Sequence, residues 1–378
     1  MPDHEPLILV NPARAENADA ARSRARISEP IAVHRRLPGY APTPVVDAPG
    51  LAEQLGLAAV SVKNESSRLG LPSFKILGAS WAVYRLLVAR LGHEPEWRDL
   101  ADLRAAFAPL GALQLVAATD GNHGRAVAHM ARQLGYGSRI FVPAGTAAAR
   151  ITGIEHEGAR VTVVDGTYDD AVQASAALAA DTVLVVSDTS WDGYTDVPRT
   201  VIEGYSTIFA ELDEQLASAP PDLVVVPMGV GALAAAVVDH YAASAVIVAV
   251  EPLRAACGLR SAEAGHPVLV PGPHDSIMAG LNCGTVSVVA WPAVSRGVDL
   301  FVAVDDAAAE RAMRDLAGIN VTAGETGAAS LAGLRAVVET GAVEPAGRRA
   351  LVLCTEGATD PAAYERIVGH APPRGTSP

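Results

Sequence analysis

The chain has 378 residues, 50% of them hydrophobic and only 19% charged, the balance of a folded protein of about two domains and the reverse of a disordered one. A formal net charge of −13 leaves no basic stripe for nucleic acid and suits anionic membranes poorly. The expected partner is therefore a small molecule.

Residues 1 to about 50 are rich in Pro, Ala and Arg and read as an arm over the body. The opening stretch lacks the apolar core of a secretion signal, and the most apolar segment, 231–250, is broken by Asp239 and His240. No membrane span and a cytoplasmic location are expected. Residues 58–63 read as a strand. Residues 74–91 read as a helix, with Ile76, Leu77, Trp81, Tyr84, Leu87 and Val88 on one side. Strands follow at 113–118, 139–142, 160–164 and 183–187, alternating with helices at 122–134, 146–157 and 168–180. A long helix is predicted over 200–217. Beyond it come strand 223–227, helix 233–241, strand 246–250, strand 300–304, helices near 306–317 and 327–340, and strand 349–354. The final residues, APPRGTSP, read as a frayed tail. This alternation of continuous Val/Ile/Leu strands with helices predicts parallel sheets covered on both faces, with sites beyond the carboxyl ends of the strands.

Three cysteines, Cys257, Cys283 and Cys354, are scattered and read as reduced, buried thiols. The histidines show no metal-ligand spacing, so no metal site is expected. Of 29 basic side chains only two are lysines, Lys63 and Lys75. A guanidinium stays protonated and cannot form an imine, whereas an ε-amine can. A surviving lysine is thus either a chance remnant of arginine preference or a nucleophile.

Four segments carry chemistry. Lys75 lies in SFKILGAS at a helix start, where desolvation and the helix dipole are expected to lower its pKa and favour a neutral amine. The alternative is a snorkelling surface lysine. Thr119–Gly124 (TDGNHG) joins a strand to a helix and reads either as an anion-binding turn that also holds Asp120, or as an ordinary cap. Gly229-Val230-Gly231 follows an apolar strand and opens a helix, as phosphate cradles do. It also fits a dinucleotide fingerprint, G-x-G-x-x-A ending at Ala234, with Glu251 as the ribose acid. An NAD(P)-dependent oxidoreductase is therefore a rival reading, though it leaves Lys75 and TDGNHG without roles. Thr355, in the turn CTEG, is placed to meet a ligand edge or is merely a turn residue.

As an ordered set, YAPTPV, VKNESSRLGLPSFKILGAS, ATDGNHGRAVAHMARQLG, SDTSWDGYTDVP, EGYSTI, PMGVGALAAAV, VEP, SIMAGLNCG, AGETGAASLAGL and CTEGATD resemble the fold-type II (tryptophan synthase β-like) pyridoxal-phosphate enzymes. Within that group they are more similar to the diaminopropionate ammonia-lyases. The resemblance implies an α/β fold of two three-layer αβα domains with mostly parallel sheets. The large domain would comprise 1–95 and 180–378, and a small mobile domain, 96–179, would be inserted in it. The cofactor implied is pyridoxal 5'-phosphate.

By the same resemblance Lys75 is the Schiff-base lysine, Asn122 partners the cofactor's phenolic oxygen, and Gly229, Val230, Gly231 and Ala232 form the phosphate loop. Thr355 meets the pyridine nitrogen, and Phe74 and Glu325 complete the cofactor set. Asp120 stands where related dehydratases carry Ser or Thr, and is implied to be a second base opposite Lys75. Asp188 matches the other active-site acid. Asn64, in KNES, departs from the group's usual Asp. The implied reaction is α,β-elimination on 2,3-diaminopropionate to pyruvate and ammonia, with Lys75 serving the L-isomer and Asp120 the D-isomer. A serine or threonine dehydratase or a β-replacing synthase is the same-fold alternative. A homodimer is implied by the group.

Overall fold

Strands buried on both faces need helices above and below, and the chain supplies them in alternation. The computed structural model describes residues 5–14 and 28–373. Part of the expected arm (1–4 and 15–27) and most of the expected tail (374–378) lie outside the described residues. The first third holds β1 (Leu7–Val10), α1 (Ser28–His34), β2 (Val45–Asp47), α2 (Pro49–Leu55), β3 (Ala59–Asn64), α3 (Lys75–Leu91) and α4 (Leu100–Phe107). Then come β4 (Gln114–Ala118), α5 (Asn122–Leu134), β5 (Gly137–Pro143), α6 (Ala148–His156), β6 (Arg160–Val164), α7 (Tyr168–Ala176) and β7 (Val183–Val185). Next are α8 (Asp196–Gly204), α9 (Ser206–Gln215), β8 (Leu223–Pro227), α10 (Ala232–Tyr241), β9 (Val246–Pro252) and α11 (Cys257–Ala264). The chain continues through α12 (Trp291–Gly297), β10 (Leu300–Val304), α13 (Asp306–Gly318), α14 (Glu325–Glu339), β11 (Arg349–Cys354) and α15 (Pro361–Val368).

The strands form two sheets. One has 7 strands in the order β1-β10-β9-β8-β11-β3-β2, parallel except for its two antiparallel edges. The other has 4 strands in the order β6-β5-β4-β7, all parallel. Its last strand, β7, lies beyond residue 179, so this sheet runs past the boundary expected from the sequence. Every residue of β8 and β10 is buried, as continuous apolar strands require. One core cluster extends from α3 and α5 to β8 and β9 and so spans both sheets. No helix among the described residues is long and apolar enough to cross a membrane.

Two expectations are corrected. The first 50 residues are not only an arm, because β1 and β2 close the two edges of the large sheet. The helix expected over 200–217 is two helices, α8 and α9, meeting at Tyr205. Gly204 lies so close to α3 that a Cβ there would come within 2.6 Å of the Leu77 carbonyl oxygen. The break turns Tyr205 into full burial against Phe74, with ring centroids 4.8 Å apart.

The second lysine is structural. Lys63, fully buried at the end of β3, donates to Glu211 Oε2 at 2.7 Å and to the Thr43 carbonyl at 2.9 Å. Arg68, also fully buried, donates to Glu211 Oε1 and to Glu65 Oε1, both at 2.6 Å. Charges this deep persist only when paired and hydrogen-bonded. The cluster pins the loop that leads from β3 to Lys75.

Candidate active site

The carboxyl ends of β3, β11, β8, β4 and β7 all deliver their following turns to one place. Those turns, with the start of α3, line a cleft of about 750 Å³ counted to its open mouth. Ten of the residues singled out from sequence line it: Phe74, Lys75, Asp120, Asn122, Asp188, Gly229, Val230, Gly231, Ala232 and Thr355. Glu325 is the exception. It stands outside the lining as the first residue of α14, and burial, reinforced by the negative charge of Glu356, raises its carboxyl to about 7.

Lys75 is the first residue of α3, and its Nζ donates to Asp188 Oδ2 at 2.5 Å. The expected low pKa is overturned. Burial alone would lower it, but Asp188, aided by Tyr205, outweighs burial and holds the ammonium well above the ordinary lysine value. Asp188 is held well below the carboxylate range, since Lys75 and His123 overcome the upward push of burial. Its other oxygen accepts from the Tyr168 hydroxyl at 3.2 Å. His123 donates from Nε2 to the Val186 carbonyl at 2.8 Å, and burial lowers its pKa against the pull of Asp188.

Asp120 sits in the turn between β4 and α5. Loss of hydration raises its carboxyl to about 7; Arg150 opposes the rise and Asp188 adds to it. The Nη1 of Arg150 donates to the Asp120 carbonyl at 3.4 Å. The cleft thus holds an acid that is half ionised near neutrality beside a charged amine–carboxylate pair.

The floor is the turn from β8 into α10. Gly231 has φ +94, a conformation L side chains rarely adopt. At Gly229 a Cβ would sit 3.1 Å from both the Cys283 sulfur and the Gly280 carbonyl, a contact that the neighbours would have to give way to accommodate. The first N–H groups of α10 lack intrahelical partners and face an anion favourably. Across the cleft, Thr355 Oγ1 is buried with no hydrogen-bond partner among the described residues. A phosphate cradle, an amine and an orphaned hydroxyl around one cavity are the donor set that pyridoxal phosphate needs, and the residues present fit it.

The dinucleotide reading fails here. Glu251 is fully buried away from the cleft and accepts from the Gly258 and Leu259 N–H groups at 2.7 and 2.8 Å, capping α11. It cannot also meet a ribose. The three cysteines are free and buried, as expected. Four functional candidates were missed in the sequence: Tyr168, Arg150, Cys283 and Glu356. Glu356 carried a signal, standing next to Thr355 in CTEG, and Cys283 stood in the segment SIMAGLNCG; Tyr168 and Arg150 carried none.

Comparison with known proteins agrees with this chemistry. Residues 36–355 match the family model described as pyridoxal-phosphate dependent enzyme. The chain is 34% identical over 374 residues to the diaminopropionate ammonia-lyase of Salmonella typhimurium, covering 90% of this chain and 91% of that one. It is also 34% identical over 370 residues to the Escherichia coli enzyme of the same name, covering 92% of each. The crystal structure of the Escherichia coli diaminopropionate ammonia lyase in complex with D-serine superposes with a TM-score of 0.89 at 31% identity, over 96% of this chain and 97% of that one. The tryptophan synthase β-like architecture, the cleft and these likenesses converge: the chain belongs to the family of pyridoxal-phosphate dependent enzymes.

Proposed function

We propose that this enzyme eliminates ammonia from 2,3-diaminopropionate, leaving pyruvate and a second ammonia after hydrolysis. The observation that carries the reading is the acid at position 120, raised to about 7 in the same cleft as the Lys75 amine. That value suits a group that must take a proton at physiological pH. Two relatives named for this activity, each 34% identical, support it.

Pyridoxal phosphate, when bound, supplies the electron sink for the charge left at the substrate's α-carbon. The protein supplies grip, orientation and proton transfer. Gly229 to Ala232 would hold the phosphate, Asn122 the phenolic oxygen and Thr355 the pyridine nitrogen. A hydroxyl at that last position cannot keep the nitrogen protonated as a carboxylate would, which favours elimination over transamination. Nζ of Lys75 must shed a proton before it can act as nucleophile or base. Asp188 Oδ2, 2.5 Å away, opposes that loss and holds the amine as an ammonium in place at the cleft, and Tyr168 steadies the other oxygen. Lys75 then serves the α-proton of an L-substrate and Asp120 that of a D-substrate. Several acids in the cleft also suit a substrate with two amines.

The reading extends to a mobile unit of about 96–179, lengthened to Val185 by the pairing of β7, which closes on the remainder and expels water. A cytoplasmic homodimer completes it, in keeping with free buried cysteines and with the group's habit. The test is pyruvate release from DL-diaminopropionate and from serine, and 2-oxobutyrate release from threonine. Faster turnover of serine or threonine than of diaminopropionate would make the enzyme a dehydratase instead.

A further inference from the structure

Glu356 follows Thr355 directly, is 1% exposed, and has no part in the chemistry above. Its backbone is held on two sides. Ser73, two residues before Lys75, forms a bridge with it, and its carbonyl accepts from the Gly324 N–H at 3.1 Å. Its side chain reaches the turn at the end of the other sheet. Oε2 accepts from Asn122 Nδ2, and Oε1 lies 3.8 Å from Arg150 Nη2. Among the described residues Oε1 takes no hydrogen bond. A buried carboxylate with an unsatisfied oxygen is a poor device for stability, because an apolar or amide replacement costs less desolvation.

What the carboxylate does offer is one-way chemistry. It only accepts, whereas an amide side chain both donates and accepts. Facing it, Asn122 must present its nitrogen, so the amide cannot flip. The second N–H of that nitrogen is left free for an anionic oxygen in the cleft. The same carboxylate faces the guanidinium that donates to the Asp120 carbonyl, so both ends of the Asp120–Asn122 turn refer back to one fixed point on the large sheet.

We infer that Glu356 is a positioning residue that orients the Asn122 amide toward the cofactor's phenolic oxygen and ties that turn to the end of β11. The inference rests on Asn122 as a cofactor ligand and not on the identity of the substrate. A failed pyruvate assay would overturn the proposed reaction and leave this inference standing.

The test uses the parent, Glu356→Gln, Asn122→Ala and the double variant, each stripped of cofactor and titrated with pyridoxal phosphate. Tryptophan fluorescence gives Kd, the visible band gives its maximum, and thermal unfolding of the stripped protein gives Tm. Glu356→Gln should raise Kd about tenfold and displace the visible maximum, with Tm unchanged or higher. On the Asn122→Ala background it should have no further effect on Kd. An unchanged Kd and visible maximum in Glu356→Gln would overturn the inference, as would an equal loss of affinity on both backgrounds. So would a Tm that falls in step with the affinity, since that is what a merely structural residue does. Should the Gln variant fail to fold, Glu356→Asp, which keeps the charge but withdraws it by one methylene, is expected to weaken binding in the same direction.

Discussion

Nζ of Lys75 and Oδ2 of Asp188 lie 2.5 Å apart, although 113 residues separate them in the chain. Burial would lower the amine's pKa, and that contact, aided by Tyr205, overrides burial and keeps the amine charged.

Asp188→Asn removes the anion that keeps Lys75 protonated. In the parent, the rate at which the stripped enzyme captures added pyridoxal phosphate should go on rising with pH above the ordinary lysine range. In the variant it should level off at lower pH, because a buried ammonium without its partner loses its proton more easily. Stopped-flow absorbance across a pH series checks this, and superimposable profiles would show that Asp188 does not set the charge.

Asp120→Asn should cut turnover of D-diaminopropionate by about 10²–10⁴-fold and spare the L-isomer. In the parent, kcat/KM for the D-isomer should rise with pH through about 7, since a raised acid is a base only once deprotonated. Equal loss for both isomers would refute the assignment of faces.

Gly231→Ala should weaken cofactor binding. An L side chain at φ +94 costs about 1–2 kcal/mol in the backbone alone, at the turn where the phosphate would sit. Equilibrium titration of the stripped variant measures the change, and parent-like affinity would remove this turn from the cofactor site.

Glu211→Leu should destabilise the fold by about 3–5 kcal/mol, because it leaves Lys63 buried without its carboxylate partner and Arg68 with Glu65 alone. Burial would raise the Glu211 carboxyl, but Arg68 and then Lys63 override it and hold it down to about 2. A depressed acid stabilises fully above its unfolded value of 4.5, and that contribution fades as pH falls from 4.5 through 2. Urea midpoints of parent and variant should therefore converge in that window. A constant gap between them would contradict the assignment.

Much of the site was legible because its backbone demands are local. TDGNHG and GVG each place small residues between an apolar strand and a helix, and that pattern survives without any tertiary knowledge. The amine of Lys75 was found by rarity, but its charge was misjudged because the controlling acid is remote in sequence. Arg150 and Tyr168 sit in ordinary helical surroundings, and only the packing of α6 and α7 brings them to the cleft. The edge strands β1 and β2 went unseen because they are 4 and 3 residues long and lack buried runs. The break at Tyr205 was hidden because apolar periodicity continues across it, while the cause is the close approach of α3.

The arrangement of the two lysines has a practical sequel. Lys63 is sealed off, its side chain 0% exposed, whereas that of Lys75 is 21% exposed at the cleft. Acylating reagents aimed at lysine side chains thus find no target on the outer surface. An ester that modifies a lysine of the folded enzyme, at a pH high enough to free the Lys75 amine, therefore reports on whether the cleft is open, which makes such labelling an occupancy assay.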